Sequence, residues 1–488
     1  MNAYNFNNAK FQYLTSNERD ERFLNFNELN NELILNYSKD TTVLSIKDKD
    51  KEVTIIGFCI DAYAELERYS IAKYLCVSID DIESLIKLVG RLAGKYIIVF
   101  QNGKDVYIVG DASASLPVYY YFNDNNEISF SSSEYIISSF LDLNKSEKAS
   151  LIENMAAPGI GLPNNLSRYD KLFFLLPNHY LDVPNRNDKR YFICYDDKKA
   201  ENFSSILNQS MAIINNITQE YSKYYELVCP LTSGWDSRII LSFLTKNNET
   251  ECYTFDHDSF NKDSAETNIP QRICKDLNIK YTKLLVQEMP LEIKESVESI
   301  IGSHHIQKRV NLAYTIKEEF NDKAILEGSI IGHIGKSGMF GAVPDWLAND
   351  TYFITKTHSY SKESKRQTIK YLSELRKSVD KDKLFDLFAL EIRCGRWGNQ
   401  SSEIYSSLGV NMLNIFNNSE LIFLWTEIAR RERNNKNLHI SFMEHNKPEL
   451  LDYAFNPDYK LSFVKDNRYS HYLASLIKYY YNKIKVSI

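Results

Sequence analysis

Short runs of alternating apolar and polar residues fill the first third of the chain. Five segments rich in Val, Ile, Tyr and Phe are predicted as strands, with asparagine- or glycine-rich turns between several of them. These segments are 53–58, 96–101, 106–110, 118–122 and 128–131. Leu85, Ile86 and Val89 recur at helical spacing within 80–92, which predicts a helix ahead of the meander. The pattern as a whole indicates an antiparallel sheet.

After residue 203 the pattern changes, because apolar strands now alternate with helical periodicity. The predicted strands are 227–231, 252–255, 281–286 and 324–326. Helices are predicted from about Ser237 to 245 and over 264–277. Such alternation is typical of a parallel sheet covered by helices.

The last third of the chain is predicted to be mostly helical. Helices are predicted at 364–379, 384–393 and 420–433, and the aromatic 469–485 segment is predicted as a docked terminal helix, with a membrane-surface helix as the alternative. A polar stretch at 184–203 is the predicted linker. We therefore divide the chain into residues 1–190 and residues 203–488, an α+β domain followed by an α/β domain.

Composition narrows the function classes. A chain of 488 residues exceeds the size of a single core, so two or more domains are expected. The net charge of -6 offers no overall basic field for nucleic acid. The seven cysteines are scattered and never have C-x-x-C spacing, and no long apolar run or leader pattern is present. We expect a cytoplasmic protein that binds neither nucleic acid nor membrane.

The segment with the clearest chemistry is Leu-Thr-Ser-Gly-Trp-Asp-Ser-Arg, from Leu231 to Arg238, between an apolar strand and a helix. Backbone N–H groups in such a turn, with the positive end of the helix, form an anion cradle. The expected nucleotide-binding residues are Thr232, Ser233, Gly234 and Trp235. Asp236 is the expected Mg²⁺ ligand and, with Ser237, the expected catalytic pair. The alternative is that Asp236 or Ser237 only caps the helix.

This segment resembles the S-G-G-x-D-S pyrophosphate loop of ATP pyrophosphatases, with Thr232 and Ser233 replacing the first Ser and first Gly. Three further segments resemble the asparagine synthetase family in the same order. They are the segment from Gly110 to Tyr121 with the Ile-Ser-Phe-Ser-Ser-Ser-Glu that follows, the Leu-Pro-Asn-His at 176–179, and the Arg-Cys-Gly-Arg-Trp-Gly at 393–398. The last is similar to synthetase-like proteins of surface-polysaccharide genes.

The resemblance implies an amino-terminal-nucleophile (Ntn) glutaminase fold followed by an adenine-nucleotide α-hydrolase-like domain of the ATP pyrophosphatase type and a helical region. In that family a cysteine follows the initiator methionine, whereas this chain has Asn2. We therefore expect no glutaminase activity, because an amide cannot replace the thiolate nucleophile. An upstream start or a processing event is the alternative explanation for the missing cysteine.

The resemblance also points to residues beyond the loop. Relatives contact adenine through backbone groups at positions matching Thr254 and Phe255, although a buried strand end explains these residues equally well. Gly328 matches a glycine of the family's second loop, but the acidic metal ligands of that loop are here Gly332 and His333. Glu327 or His333 as substitute ligands is the less favoured reading, behind ordinary loop residues.

Two further sequence features concern lysines. The Gly-His-Ile-Gly-Lys-Ser at 332–337 is not a Walker A loop, because position 330 is Ile where that motif needs Gly. Relatives also use a late lysine in amide formation. Lys436, Lys447 and Lys460 are the candidates here, and the sequence does not distinguish them from ordinary surface lysines.

We thus expect an asparagine synthetase-like ligase that uses ATP and Mg²⁺ to adenylate a carboxylate, releasing pyrophosphate, before an amine or ammonia displaces AMP. The expected partners are a small-molecule or peptide carboxylate and an amine or ammonia donor, and a homodimer is an open assembly state. Natural-product or surface-polysaccharide synthesis would use such a reaction. The rival hypotheses are a degenerate homologue that binds nucleotide or a partner without turnover, and a tRNA-modifying enzyme, which the missing basic face disfavours.

Overall fold

The computed structural model describes residue 6 and residues 9–29, 33–156, 161–191, 202–244, 250–256, 264–305, 307–457 and 467–487. Their named strands form two antiparallel six-stranded sheets and one parallel five-stranded sheet. The antiparallel strands all lie within residues 13–190 and the parallel strands within residues 227–413. The expected mixed α/β layout is therefore confirmed.

The N-terminal half is built on the two antiparallel sheets. Its strands are β1 (Tyr13–Ser16), β2 (Asn25–Glu28), β3 (Ile34–Tyr37), β4 (Val43–Asp48), β5 (Lys51–Asp61), β6 (Leu92–Asn102), β7 (Asp105–Gly110), β8 (Tyr119–Phe122), β9 (Ile128–Ser131), β10 (Leu172–Phe174), β11 (His179–Asp182) and β12 (Asn187–Arg190). The strand orders are β10-β8-β9-β1-β3-β2 and β12-β11-β7-β6-β5-β4. The helices are α1 (Ile71–Ser78), α2 (Ile82–Gly90), α3 (Glu134–Leu141) and α4 (Glu147–Glu153).

The helix predicted at 80–92 is α2, which connects β5 to β6. Its N-cap is Asp81, whose side chain accepts the Ser84 N–H in a capping box, and Leu85, Ile86 and Val89 are its buried face. The strands β1 to β4 gave no clear signal. In β2, for example, the polar Asn25 and Asn27 are half-buried whereas Phe26 and Glu28 are exposed, so apolar alternation does not mark the strand.

The C-terminal half is built on the parallel sheet. Its strands are β13 (Leu227–Pro230), β14 (Glu251–Asp256), β15 (Lys280–Leu285), β16 (Ala324–Leu326) and β17 (Asn411–Leu413), in the order β15-β14-β13-β16-β17. The order reverses between β13 and β16, which makes their carboxyl ends the topological switch point of the sheet. In open α/β sheets, ligands bind in the crevice at such a point.

Helices cover the parallel sheet and form the rest of this half. They are α5 (Phe203–Ser222), α6 (Trp235–Leu244), α7 (Ala265–Asp276), α8 (Leu291–Ile301), α9 (Gln307–Phe320), α10 (Asp350–Lys356), α11 (Lys362–Ser378), α12 (Leu384–Phe388), α13 (Asn399–Ser407), α14 (Ser419–Thr426), α15 (Arg430–Asn434), α16 (Asn437–Asn446) and α17 (Arg468–Ser487). Two π-helical segments occur, at Ile331–Gly335 and Ala389–Trp397. The second replaces the end of the helix predicted at 384–393.

Buried polar groups join the two halves. Asp111, in the segment that resembles the asparagine synthetase family, is 1 % exposed and accepts hydrogen bonds from the backbone N–H groups of Ser113, Ser115 and Leu116. The same carboxylate accepts 2.8 Å from Asn417 Nδ2, on the loop after β17. The motif thus has a structural use, because one carboxylate fixes its own loop and fastens it to the other half.

A buried lysine lies in the same junction. Lys95 of β6 is 1 % exposed and donates to the hydroxyls of Ser402 and Ser406 on α13, at 2.6 and 2.5 Å. Burial lowers the pKa of Lys95 to about 7, although the charges of Asp111 and Glu403 oppose the shift. The junction therefore contains an amine that titrates near neutral pH.

The terminal helix α17 docks on the protein, as expected. Its Tyr472 and Tyr479 rings lie 5.0 and 5.3 Å from those of Tyr352 and Tyr360. Its other face exposes Tyr469, Leu473, Ile477, Tyr480, Tyr481 and Ile484. Among the described residues, no helix combines the length and hydropathy that crossing a membrane requires.

Candidate functional site

The predicted phosphate loop lies at the switch point of the parallel sheet. Leu231 follows β13, and its N–H bonds the carbonyl of Tyr253 in the neighbouring strand β14, at 2.9 Å. Thr254 Oγ1 donates to the carbonyl of Leu231 at 2.6 Å. The chain then turns into α6, whose first-turn N–H groups have no intrahelical acceptors. The first turn of α6 therefore presents its N–H groups and the positive helix end to the crevice.

Side chains close the loop on itself. Ser237 Oγ accepts the N–H of Thr232 at 3.1 Å and lies 2.9 Å from Thr232 Oγ1, which in turn accepts the N–H of Gly234. The N–H of Ser233 donates to a carboxylate oxygen of Glu266 on α7, at 3.1 Å. An anionic oxygen is thus already bound to this loop, which shows the kind of group it accepts.

Asp236 lies in the first turn of α6 and is held by two partners from distant segments. Lys336 Nζ is 2.7 Å from Oδ1 and 2.6 Å from Oδ2, and His439 Nε2 is 3.2 Å from Oδ1. Burial alone would raise the pKa of Asp236, but the His439 hydrogen bond and the Lys336 charge lower it to about 2. The carboxylate is therefore ionised throughout the physiological range.

His439 is fully buried, and burial lowers its pKa despite the neighbouring carboxylate. A neutral imidazole with Nε2–H toward Asp236 leaves Nδ1 as an acceptor, and Nδ1 has no partner among the described residues. Among the described residues, the Asp236 side chain bonds Lys336 and His439 and the Ser237 hydroxyl bonds Thr232, so neither side chain caps α6. The helix-cap alternative is therefore not supported.

An aromatic residue from the C-terminal segment covers the loop. The Trp235 and Phe455 rings stack at 3.7 Å and 8°. Arg238, which is fully buried, lies 3.9 Å from the Phe455 ring centroid and donates to the carbonyls of Tyr453 and Ala454. Asn456 N–H bonds the carbonyl of Ser233 at 3.2 Å. Residues 453–456 are therefore fastened over one side of the loop.

The three candidate lysines are now distinguished. Lys436 begins α16 and its Nζ lies 5.7 Å from the Trp235 ring centroid, and its charge also lowers the pKa of His439. Lys447 lies at the opposite end of α16, and Lys460 falls outside the described residues. Of these candidates, Lys436 is the one that the structure places beside the loop.

The second loop reaches the same place. A Cβ added to Gly328 would lie 3.2 Å from Ile240 and 3.5 Å from Asp236 Cβ, so this glycine permits close packing on α6. Glu327 accepts hydrogen bonds from the Ser329 N–H and hydroxyl and from Asn414, so its carboxylate holds the turn together.

A cavity of about 420 Å³ adjoins the carboxyl ends of β13, β14, β16 and β17 and extends to the N-terminal half. Its charged and polar lining includes Arg309, Glu327, His333, Arg393, Asn399 and Ser115. Arg309 and Arg393 have no ion-pair partner in the part of the chain that the structure describes. Burial lowers the pKa of Arg393, and the neighbouring charge of Arg309 lowers it further. Two guanidinium groups that are not ion-paired within the described residues favour an anionic occupant.

His333 connects the cavity to the loop. Burial and the charge of Arg393 lower the pKa of His333 to about 3, while the charge of Asp236 acts in the opposite direction. The imidazole is therefore neutral at pH 7 and has the cavity's arginine on one side and the Asp236 group on the other. His333 Nδ1 and Asn399 Oδ1 are buried without partners among the described residues, as expected for atoms that await a ligand.

The residues present fit a nucleotide phosphate better than they fit a protein-bound Mg²⁺. The described residues contain no group of three His, Cys, Asp or Glu side chains that could hold a metal. Mg²⁺ requires oxygen ligands in octahedral geometry, whereas the expected ligand, Asp236, is already bonded to Lys336 and His439. The expectation that Asp236 holds Mg²⁺ stays a prediction that the donor set does not favour.

The expected adenine-contacting residues lie at the same crevice. β13 pairs with β14 through Tyr253, so Thr254 and Phe255 extend beyond the end of β13. The Thr254 hydroxyl is engaged with Leu231, while Phe255 is half-buried beside Tyr253. The backbone edge of Phe255 that faces β13 is therefore outside that ladder, where a planar base could pair with it.

Sequence reasoning missed several residues of this site: Lys336, His439, Glu266, Phe455, Arg238 and Arg309. Lys336 stood inside the segment rejected as a Walker A loop, and that rejection is consistent with its π-helical fold. A signal existed for Arg393, since it begins a segment that resembles synthetase-like proteins. His439 had no signal, because a lone histidine on a helix is ordinarily a core residue.

The sequence matches no protein-family model and no curated protein. Solved structures with a similar chain include the NH3-dependent NAD synthetase of Campylobacter jejuni, with 14% identity and a TM-score of 0.21, where the match covers 40% of this chain and 94% of that one. Another is the glutamine phosphoribosylpyrophosphate amidotransferase of B. subtilis, with 9% identity and a TM-score of 0.25. This match covers 59% of this chain and 65% of the amidotransferase. Likenesses of this size do not establish a family, so function is argued from the geometry of the site.

Proposed function

We propose that the protein uses ATP to adenylate a carboxylate and then transfers the acyl group to an amine or ammonia, as asparagine synthetase-like ligases do. The observation that carries the proposal is the placement of two complementary sites side by side. The first turn of α6 offers N–H donors for phosphate at the switch point, and the cavity near His333 offers two arginines that have no ion-pair partner among the described residues for a carboxylate. ATP and an acid could thus meet at a single crevice.

In the proposed reaction, a carboxylate oxygen of the acid attacks the α-phosphorus of ATP. The bond from that phosphorus to the bridging oxygen breaks, and pyrophosphate leaves with the negative charge. The N–H groups at the start of α6 and the ammonium of Lys336 stabilise this charge in the transition state. An amine then attacks the acyl carbon, AMP leaves, and the extra proton of the amine passes to solvent.

Lys436 is the proposed residue for the second step. Its ammonium lies beside Trp235 at the loop, where it could stabilise the charge that develops as AMP departs. No step uses a protein-bound Mg²⁺, because the donor set around Asp236 does not fit that ion.

Product analysis tests the proposal. The protein is incubated with ATP and a panel of small carboxylic acids, with and without Mg²⁺, and the nucleotides are separated by chromatography. AMP and pyrophosphate are expected, because attack at the α-phosphorus releases them. ADP and phosphate as the sole products would refute adenylation. The identity of the acid that gives AMP would name the substrate class.

A second function is favoured by one specific observation. Glu266 already occupies the Ser233 N–H, and residues 453–456 lie across the loop. A protein that binds nucleotide or a partner at this crevice without turnover would tolerate such occupancy. ATP binding measured by calorimetry, without any AMP from the whole acid panel, would support this alternative.

A further inference from the structure

Lys336 is built into the site in the position of a bound cation. Its ammonium bridges both oxygens of Asp236, at 2.7 and 2.6 Å, and the pair is partly exposed, with relative side-chain exposures of 25% and 30%. His439 occupies Oδ1 from the protein interior. Both carboxylate oxygens are thus satisfied by groups of the protein, and their charge is balanced before any ligand arrives.

The backbone around Lys336 is shaped for this contact. The chain forms the π-helical segment 331–335, after which the N–H of Lys336 bonds the carbonyl of Ile331 and the N–H of Gly338 bonds that of Gly332, both at 3.1 Å. A Cβ added to Gly332 would lie 2.7 Å from Asp236 Oδ2. A second carboxylate for a metal would have to come from position 332. A side chain at that position would collide with the Asp236 carboxylate.

Charge and ligand chemistry lead to the same conclusion. The ionisable side chains that interact most strongly with Asp236 are Lys336 and His439, and the charge of Asp236 also acts on His333; all three are nitrogen groups. Lysine is a phosphate ligand in its own right, as a point charge with three N–H donors. Two donors of Lys336 are directed to Asp236, so a third can serve a phosphate oxygen.

We propose that Lys336 supplies, on the protein, the positive charge that a divalent cation would bring, so that nucleotide binding at the 232–237 loop is independent of metal. This inference rests on the proposed use of ATP. Asp236 then acts as the residue that positions Lys336, and His439 fixes Asp236.

The test compares ATP affinity in EDTA and in Mg²⁺ by titration calorimetry of the full chain. For the unaltered protein the two dissociation constants should agree. Lys336→Met should weaken binding in EDTA by about 10- to 100-fold, the scale of one charge-assisted hydrogen bond. Mg²⁺ should partly restore that variant, because its Asp236 carboxylate is released to bind the metal.

Two further variants make the test specific. Lys336→Arg keeps the charge and should keep binding in EDTA, which shows that the Met variant fails for lack of charge and not through misfolding. Lys370→Met removes an exposed lysine of α11 and should bind like the unaltered protein.

The outcomes separate this inference from the function on which it rests. The inference would be overturned if the unaltered protein bound ATP in Mg²⁺ but not in EDTA, or if Lys336→Met bound ATP in EDTA with full affinity. Either result would leave the adenylation proposal standing. Binding in EDTA that yields no AMP with any acid would support the inference and refute turnover. Absence of binding under every condition would overturn both.

Discussion

Two aspartates that follow strands in the two halves of the molecule have opposite surroundings. Asp111 is buried, and its hydrogen bonds come mainly from backbone N–H groups of its own loop, with Asn417 as an interdomain partner. Asp236 is partly exposed, and its partners are two side chains, Lys336 and the buried His439. Backbone donors fix a carboxylate permanently, whereas a side-chain amine can exchange one anionic partner for another. Asp111 therefore has a structural role, whereas Asp236 is placed for a role in the reaction.

The largest effect should follow from Asp236→Asn. We expect AMP formation to fall by at least about 10²-fold, the scale for losing one preorganised electrostatic contact, because Lys336 loses the charge that positions it. The thermal midpoint should stay close to that of the unaltered protein, since the position is partly exposed. Asp380→Asn, on an exposed turn, is the control. If Asp236→Asn unfolded, or formed AMP at the normal rate, the contrast drawn between Asp236 and Asp111 would be wrong.

Asp111→Ala, in contrast to Asp236→Asn, should mainly lower the stability of the folded protein. Three backbone N–H groups and the Asn417 amide lose their acceptor inside the junction, and we expect a loss on the order of 3 kcal/mol in the free energy of unfolding. Urea titration followed by tryptophan fluorescence measures it. Asp105→Ala, at an exposed position of β7, should change little. An Asp111→Ala protein of unchanged stability would remove the structural role from this residue.

A smaller effect is expected from Gly332→Ala. The added methyl would lie 2.7 Å from Asp236 Oδ2, so the carboxylate must shift away from Lys336, and AMP formation should fall by roughly 10-fold. Gly110→Ala is the matched control, because a Cβ there meets nothing within 4 Å and the residue precedes Asp111. Equal rates for both variants would show that the Asp236 geometry tolerates displacement.

The smallest effect at neutral pH concerns Lys95, behind the Asp111 loop. Its pKa in the folded protein is about 7, against 10.5 for an exposed lysine, so between these values the unfolded chain binds more protons than the folded one. The contribution of Lys95 to stability should therefore increase as the pH rises from 7 toward 10.5. The urea midpoint of the unaltered protein should therefore rise relative to that of Lys95→Met as the pH increases from 7 toward 10.5. Midpoints that change in parallel with pH would refute this prediction.

Local signals account for what the sequence predicted well. The strand at 324–326 was predicted within its observed bounds, and the turn from β13 into α6 was recognised, because apolar runs and a Ser-Gly turn are short-range features. The edge strand β17, Asn-Met-Leu, had no such signal, because it begins with a polar residue and lacks the apolar run of β16. The helix predicted at 420–433 divides into α14 and α15, with residues 427–429 between them, because helical spacing does not register this break.

The site could be predicted only in part, because it is assembled from distant segments. Lys336 is 100 residues and His439 is 203 residues from Asp236, so no spacing rule joins them. The segment containing Lys336 was judged against a phosphate-loop pattern, whereas its contribution depends on a π-helical segment that sequence periodicity does not reveal. That Arg309 and Arg393 have no ion-pair partner within the described ranges is likewise a property of the folded cavity.

The hydrogen bond between Asp111 and Asn417 can form only late in synthesis of the chain. Its partners are 306 residues apart, so at synthesis rates of roughly 5–20 residues per second Asp111 leaves the ribosome roughly 15 to 60 s before Asn417 does. The backbone N–H groups of its own loop are available at once. Local hydrogen bonds can therefore stabilise the Asp111 loop before the C-terminal half is synthesised. The bond from Asn417 then joins the two halves once residue 417 has emerged.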